Sequence, residues 1–277
     1  MDSLKIVTPC HPVAPYIGGK RHLAAQISRI IAGTPHKVYA EPFTGMGGVF
    51  FRRTTRPDVE VINDFSRDVV TLFRILQRHY PQFVETLKWQ LSSRADFDRL
   101  MKVDPSTLTD LERAGRFLYI QRMCYGGKVS SRVFGLAAER PGRFDLTKLI
   151  PMLEDVHDRL AGVVIECLDY KEFIARYDGP ETLFYLDPPY YGCEGDYGAG
   201  MFSRDEFGRM TELLSGIQGR FILSLNDTPE VREIFNAFTI RQVQTTYSIA
   251  STESQKVFEV LISNFEGVLL HEQNSLL

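Results

Sequence analysis

Cysteine is scarce in this chain, and Cys10, Cys124, Cys167 and Cys193 stand far apart with no Cys-x-x-Cys pair among them. That spacing gives neither a disulfide framework nor a zinc motif. Long hydrophobic runs are also missing. No stretch approaches the ~20 apolar residues of a membrane-spanning helix, and the first sixteen residues, which hold Pro9, Pro12 and Pro15, lack the apolar centre of a secretory signal. The expected setting is a reducing cytoplasm, close to the nucleoid if the partner is DNA, with no membrane, no metal and no obligate protein partner. Charge of one sign is missing too: 32 Lys and Arg face 35 Asp and Glu, a formal charge of −3, which excludes a wholly basic coat for nucleic acid. No internal repeat or low-complexity tract occurs.

The 277 residues, 44% hydrophobic and 24% charged, suit one large domain or a domain carrying an insertion. Charge is unevenly placed. Between Glu112 and Arg143, seven cations (Arg113, Arg116, Arg122, Lys128, Arg132, Arg140, Arg143) face two acids, Glu112 and Glu139. A local positive face on an acidic body suits a polyanion held at one place, although a solvated helix face reads the same from charge alone.

The most chemical stretch runs from Thr182 to Tyr191. Leu183 to Leu186 read as a buried strand, which Pro188 and Pro189 stop at Asp187 because proline cannot extend a central ladder. At the carboxyl end of a parallel strand Asp187 would face the ligand crevice. An exocyclic amine on a nucleobase is a weak nucleophile, its lone pair drawn into the ring. Acceptors on its two hydrogens restore that lone pair, and Asp187 with the Pro188 carbonyl could supply them. Tyr190 could stack on a base that has left the duplex. By itself, Asp-Pro-Pro is equally a strand end and a rigid turn.

Elsewhere the chain extends the pattern. Tyr16-Ile17-Gly18-Gly19-Lys20 precedes an amphipathic helix with Leu23, Ile27, Ile30 and Ile31 on one face. A lysine at a helix start, already the positive end, makes sense beside an anionic group. Lys37 to Phe43 reads as the first strand, and Thr44-Gly45-Met46-Gly47-Gly48 as a glycine turn into a helix beginning near Val49. The strand Val59 to Ile62 then ends in Asn63-Asp64, where an acid commonly holds ribose hydroxyls. From Ser66 to about Leu160 the pattern is helical, with a capping box at Thr109 and Glu112. This segment carries Arg122, Tyr125, Gly126, Gly127, Lys128 and Arg132, a candidate DNA-reading loop in which cations fix phosphates and Tyr125 wedges between bases. Strands then resume at Val163 to Leu168, Thr182 to Leu186, Arg220 to Asn226, Phe238 to Ile249 and Val257 to Asn264, the last reversed. Seven strands in all are expected.

With Phe43-Thr44-Gly45-Met46-Gly47, Asn63-Asp64, Asp169-Tyr170 and Asp187-Pro188-Pro189-Tyr190 in this order behind the amino-terminal Gly-Gly-Lys, the chain resembles the Dam-like, D12 class of adenine-specific DNA methyltransferases over nearly its whole length. The resemblance implies an α/β, doubly wound, seven-stranded Rossmann-like sheet that binds S-adenosyl-L-methionine, formed by residues 1–65 and 161–277, with a helical target-recognition insertion at 66–160. The implied substrate is an adenine flipped from double-stranded DNA. It also implies that Phe43, Gly45 and Gly47 pack along the cofactor's amino-acid end, that Asp64 binds its ribose, that Asp169 and Tyr170 face its adenine, and that Tyr16 and Lys20 line the pocket. Asp187 and Pro188 would hold the target amine and Tyr190 would stack on the ring. Two departures stand out. Members reading the best-known four-base site carry Tyr-Asn-Gly-Leu and then an arginine, where this chain has Tyr125-Gly126-Gly127-Lys128; and a common Ser-Asn pair is interrupted here as Ser224-Leu225-Asn226. No Pro-Cys nucleophile for cytosine carbon-5 follows the central strand. Cytosine amino methylation, and a degenerate module that binds without catalysis, remain as alternative readings.

Overall fold

The computed structural model describes residues 4–90, 92–135, 143–197, 202–247 and 255–266. Seven strands form one sheet: β1 Val38–Glu41, β2 Val59–Asn63, β3 Val164–Glu166, β4 Thr182–Leu186, β5 Arg220–Asn226, β6 Thr239–Tyr247 and β7 Gln255–Ser263. Their order across the sheet is β3-β2-β1-β4-β5-β7-β6. The first five run parallel, and β7 lies antiparallel between β5 and β6. The chain therefore reverses direction beside β1 and β4, the switch point at which open α/β sheets bind ligands.

Strand β4 sits at the centre, and all five of its residues are buried, as a strand covered on both faces requires. Alternate side chains go to opposite sides of a sheet. Leu183 and Tyr185 join one apolar core with Ile27, Ile31 and Leu72, while Phe184 and Leu186 join another with Phe173, Phe207 and Val231. Helices α1 (Ala24–Gly33), α2 (Arg67–Leu87) and α5 (Leu146–Arg159) contribute to the first core. Helices α6 (Tyr170–Tyr177), α7 (Glu206–Ser215) and α8 (Pro229–Ile234) contribute to the second.

The first crossover departs from expectation. Instead of an α-helix from Val49, the chain makes a single 3₁₀ turn, Phe50–Arg52, and then a short strand, Thr55–Arg56, paired antiparallel with Lys5–Ile6. The β-branched pair Thr54-Thr55 and then Pro57 resist helix continuation. Arg53 is extended (φ −68°, ψ 140°), and its buried guanidinium bonds Glu60 at 2.8 Å and lies 3.7 Å over the Tyr39 ring. Arg159 reaches the same Glu60 through two bonds of 2.7 Å. That buried triad closes the space a helix would need. The strand expected over 37–43 is likewise shorter, because Pro42 cannot donate to the ladder.

The helical segment is built as its pattern implies. Helix α2 kinks at His79, two residues before Pro81, whose ring obstructs the preceding turn. Its first half is bound to the sheet side: Gln77 donates to the carbonyls of Leu160 and Val163 at 2.8 Å. Its second half packs Phe83 and Leu87 beside Gly115 of α4 (Asp110–Met123), which opens on the expected Thr109–Glu112 capping box. Helix α3 (Arg94–Met101) packs on α4. One apolar core runs from Leu183 and Ile222 in the sheet to Phe83 and Leu118 in these helices. Leu91 and the tip of the terminal hairpin, Ser248 to Ser254, lie outside the described residues. No described helix is long and apolar enough to cross a membrane.

Candidate active site

Where β4 ends, Asp187 lines a cavity of about 1940 Å³ that opens over the carboxyl ends of β1 and β4. Its side chain is 18% exposed. Lys20, buried just ahead of α1, donates to Asp187 Oδ1 at 2.6 Å and to the Tyr190 hydroxyl at 2.7 Å. The anionic group expected near Lys20 is thus a side chain of the protein. Ser224 of β5 donates to the same Oδ1 at 3.1 Å. Both bonds fall on one oxygen, and among the described residues no hydrogen bond reaches Oδ2. Burial pushes Asp187 up to about 6, while Lys20 and Ser224 act to hold it down. Glu259 of β7, also buried, stands 3.8 Å from the Lys20 ammonium.

The segment after Asp187 is fixed from the neighbouring strand. Asn226 accepts a hydrogen bond from the Tyr191 N–H and donates to the Tyr191 carbonyl, both at 2.9 Å. Residues two apart on a strand share a face, so the leucine between Ser224 and Asn226 lets one hold Asp187 while the other holds Tyr191. The interruption in the sequence is what places both on the acceptor segment. Pro188 is buried and absent from the cavity lining; Tyr190 is half-buried against the second core.

Beneath Asp187, the turn after β1 forms the second part of the cavity. Gly45 has φ +51°, and a Cβ there would stand 3.1 Å from the Tyr16 ring, so only glycine permits this approach. The Gly45 N–H and the Ser66 N–H each donate to Asp64, at 2.8 Å, orienting a carboxylate that burial pushes up to about 6. Tyr16, Lys20, Phe43, Gly45 and Asp64 all line the same cavity. Gly47 does not: its φ of +73° turns the chain, and Phe51 occupies the place of its missing side chain. Asp169 is exposed and caps α6 by accepting from the Lys171 N–H, while buried Tyr170 stacks 5.3 Å from Phe43 and donates to Glu206. Tyr170 is absent from the cavity lining and borders it through Phe43 and Phe202, the latter ring 6.2 Å away.

The loop after α4 forms the opposite wall. Gly126 and Gly127 both adopt positive φ, +70° and +68°. Gly127 lies so close to Pro15 and Tyr16 that a Cβ would come within 2.9 Å of their backbone. The Ile17 N–H donates to the Gly127 carbonyl at 3.0 Å, and the Gln121 amide bridges the carbonyls of Pro15 and Gly127. The loop is thus fastened to the segment that carries Lys20. Arg122 lines the cavity with two of its donors bound to the carbonyls of Val13 and Arg143, and Arg132 lines it with Nε on the Lys128 carbonyl. Tyr125 is 52% exposed at the cavity edge, and Lys128 is exposed outside the lining. Of the other cations in that window, Arg113 pairs with Asp68 and Arg116 is buried with Nε on the Leu100 carbonyl, so part of the local charge is internal. Arg140 lies outside the described residues.

Sequence reasoning gave no role to four groups. Ser224 and Asn226 could have been found from their spacing of two on a strand beside β4. Phe65, 56% exposed, lines the cavity next to Asp64 as a large apolar surface. Glu41, at the end of β1, accepts from the Tyr39 hydroxyl at 2.6 Å, and burial pushes it up to about 8.

The profile of the D12 class of N6 adenine-specific DNA methyltransferases matches residues 16–249. The type II methyltransferase M1.LlaDCHI of Lactococcus lactis subsp. cremoris is 25% identical, with 92% of this chain and 95% of that one aligned. The DNA adenine methylase of Haemophilus influenzae is 23% identical over 92% and 93%, and that of Escherichia coli K12 is 24% identical over 92% and 95%. Among solved structures, a precorrin-8w decarboxylase from Methanobacterium thermoautotrophicum aligns at 11% identity with a TM-score of 0.42, covering 94% of this chain and 100% of that one, too loosely to bear on the site. The chain belongs to the D12 class of N6 adenine-specific DNA methyltransferases.

Proposed function

We propose that this protein transfers the methyl group of S-adenosyl-L-methionine to the N6 amine of an adenine flipped out of double-stranded DNA. The observation that carries the reading is the one-sided tethering of Asp187. With Oδ1 held by Lys20 and Ser224, Oδ2 is the acceptor left for an incoming amine hydrogen. The Pro188 carbonyl is the second acceptor, and Tyr190 supplies the ring face.

The residues around Asp64 fit the cofactor. A buried, oriented carboxylate suits ribose hydroxyls, the rings of Phe43 and Phe65 suit the adenine, and the glycine cradle at Gly45 gives backbone room for the amino-acid end. When bound, the sulfonium supplies an already activated methyl group. Asp187 and Pro188 align the amine and turn its lone pair toward that methyl, while Lys20 and Ser224 favour the charged form of Asp187. Positioning, oriented acceptors and a base for the departing proton are the contribution, so no covalent nucleophile is required. The amine nitrogen would bond the methyl carbon as that carbon's bond to sulfur breaks, the sulfonium leaving as a neutral thioether, and ionised Asp187 would take up the proton the amine sheds.

Residues 1–65 and 161–277 carry this chemistry, and the helical segment 66–160 reads the target. Within that segment Tyr125, Lys128, Arg132 and the remaining donors of Arg122 meet the duplex. The test incubates purified protein with unmethylated duplex DNA and methyl-labelled cofactor, followed by digestion to nucleosides. Label in N6-methyladenine is expected. Label in N4-methylcytosine would overturn the choice of base.

A further inference from the structure

The cavity is larger than its cofactor requires. Sites for small molecules span about 300–1,000 Å³, against about 1940 Å³ here. The amino-terminal part of its lining is cationic. Arg21 and His22, directly after the catalytic-site lysine, are exposed in the lining, and Arg52 joins them from the 3₁₀ turn after Gly48.

Several arginines of the molecule are already neutralised by acids. Arg113 pairs with Asp68, Arg159 with Glu60 and Arg232 with Asp227. Among the described residues neither Arg21 nor Arg52 has a carboxylate partner. Arg52 is fixed by donating to the Gly48 carbonyl at 2.6 Å, and Gly48 itself backs onto the Lys20 amide. Burial and the nearby positive charge of Arg21 both lower its hold on its proton. Like charges held together at a cavity mouth cost stability unless an anion meets them. The acids of the facing wall do not serve: Asp68 is taken by Arg113, and Asp145 accepts from Thr147 and pairs with Lys148.

Building on the reading of duplex DNA as substrate, we infer that Arg21 and Arg52 form a phosphate clamp that grips the DNA backbone beside the flipped nucleotide, across the cavity from the Tyr125–Arg132 loop. Guanidinium forks match phosphate geometry, and contacts of this kind position the duplex without reading its sequence. Because Arg21 adjoins Lys20 and Arg52 is tied through Gly48 to the same backbone, the clamp sets the distance between the backbone and Asp187.

The test measures binding of cognate and unrelated duplexes against salt concentration for the wild type, Arg21→Gln and Arg21→Gln/Arg52→Gln, with cofactor affinity measured in parallel. Neutralising one phosphate fewer lowers the slope of log affinity against log salt by ~0.9. Arg21→Gln should reduce the slope by about one such unit and the double variant by about two, equally on both duplexes, with cofactor affinity unchanged and lysine at both positions restoring most of the slope. Since Arg52 also bonds its own backbone, the exposed Arg21 variant alone decides the matter if the double variant fails to fold. An unchanged slope, or a loss confined to one sequence, overturns the clamp. A fall in cofactor affinity would overturn it too, assigning the pair to the cofactor's carboxylate. Absence of any salt-dependent duplex binding by the wild type would instead remove the DNA reading on which the clamp rests.

Discussion

On one side of the cavity Asp187 is held by Lys20 and Ser224 at 2.6 and 3.1 Å, and the chain beyond it is pinned by Asn226 on both edges of Tyr191. On the other side the Tyr125–Arg132 loop is fastened through backbone carbonyls at Gly127 and Lys128, while the side chains of Tyr125 and Lys128 stay exposed. The two regions solve different problems. The acceptor role proposed for Asp187 needs its carboxylate held in one place, and its tethers are side chains ending on that group itself, in a buried setting where reorganisation is costly. The reading of a duplex proposed for the loop needs tips that meet a partner, and there the scaffold is fixed and the tips are left to solvent.

The sharpest way to break this contrast is Asp187→Ala. Loss of a preorganised acceptor costs on the order of 10²–10³ in turnover. We expect at least that loss in single-turnover methylation, with DNA affinity nearly intact; substantial residual turnover would remove Asp187 from its role as the essential acceptor.

Ser224→Ala probes the tether instead of the acceptor. Asp187 must be ionised to accept an amine hydrogen, so the rate should fall as pH drops through the value near 6 to which burial raises it. Ser224 bonds the charged form, so its removal raises that pKa and moves the acid limb of the pH–rate profile upward. The net worth of one such bond is about 0.5–1.5 kcal/mol, which predicts roughly a three- to tenfold slowing near pH 6 and a smaller one at pH 8. A uniform loss at all pH values would mean that Ser224 acts only on packing. The linkage to stability has the opposite sense: with its folded pKa above the ordinary 3.8, Asp187 favours the folded state more as pH falls from about 6 toward 4.

Lys128→Ala should have the smallest effect, since its ammonium is exposed and outside the cavity lining. If it meets phosphate, affinity for all duplexes weakens together and the salt slope falls by about one. Relaxed preference at a single base pair would instead place it among the readers of sequence, and would narrow the difference between the two walls.

Much of this arrangement was legible from residues alone. Four hydrophobic residues ending in Asp-Pro-Pro read as a buried strand stopped at a carboxylate, because proline's missing N–H ends the ladder. The glycines at 45, 126 and 127 marked chain reversals, and the Thr109–Glu112 box marked the start of α4, for equally local reasons. The 3₁₀ turn at Phe50–Arg52 was not legible: glycines followed by Val49 and two phenylalanines suit a helix locally. What prevents it is Arg53 turning inward to Glu60, a partner shared with Arg159, far away in the chain.

The sequence by itself determined where the candidate groups stand along the chain, since short-range dihedral and hydrogen-bonding constraints fix where a strand stops and which side chain stands at its end. Only the tertiary structure decided how those groups are held. Lys20 reaches Asp187 across 167 positions and Ser224 across 37, and the sheet order that puts β5 beside β4 and Lys20 over both is set by burying two apolar cores at once. No local pattern contains that sum.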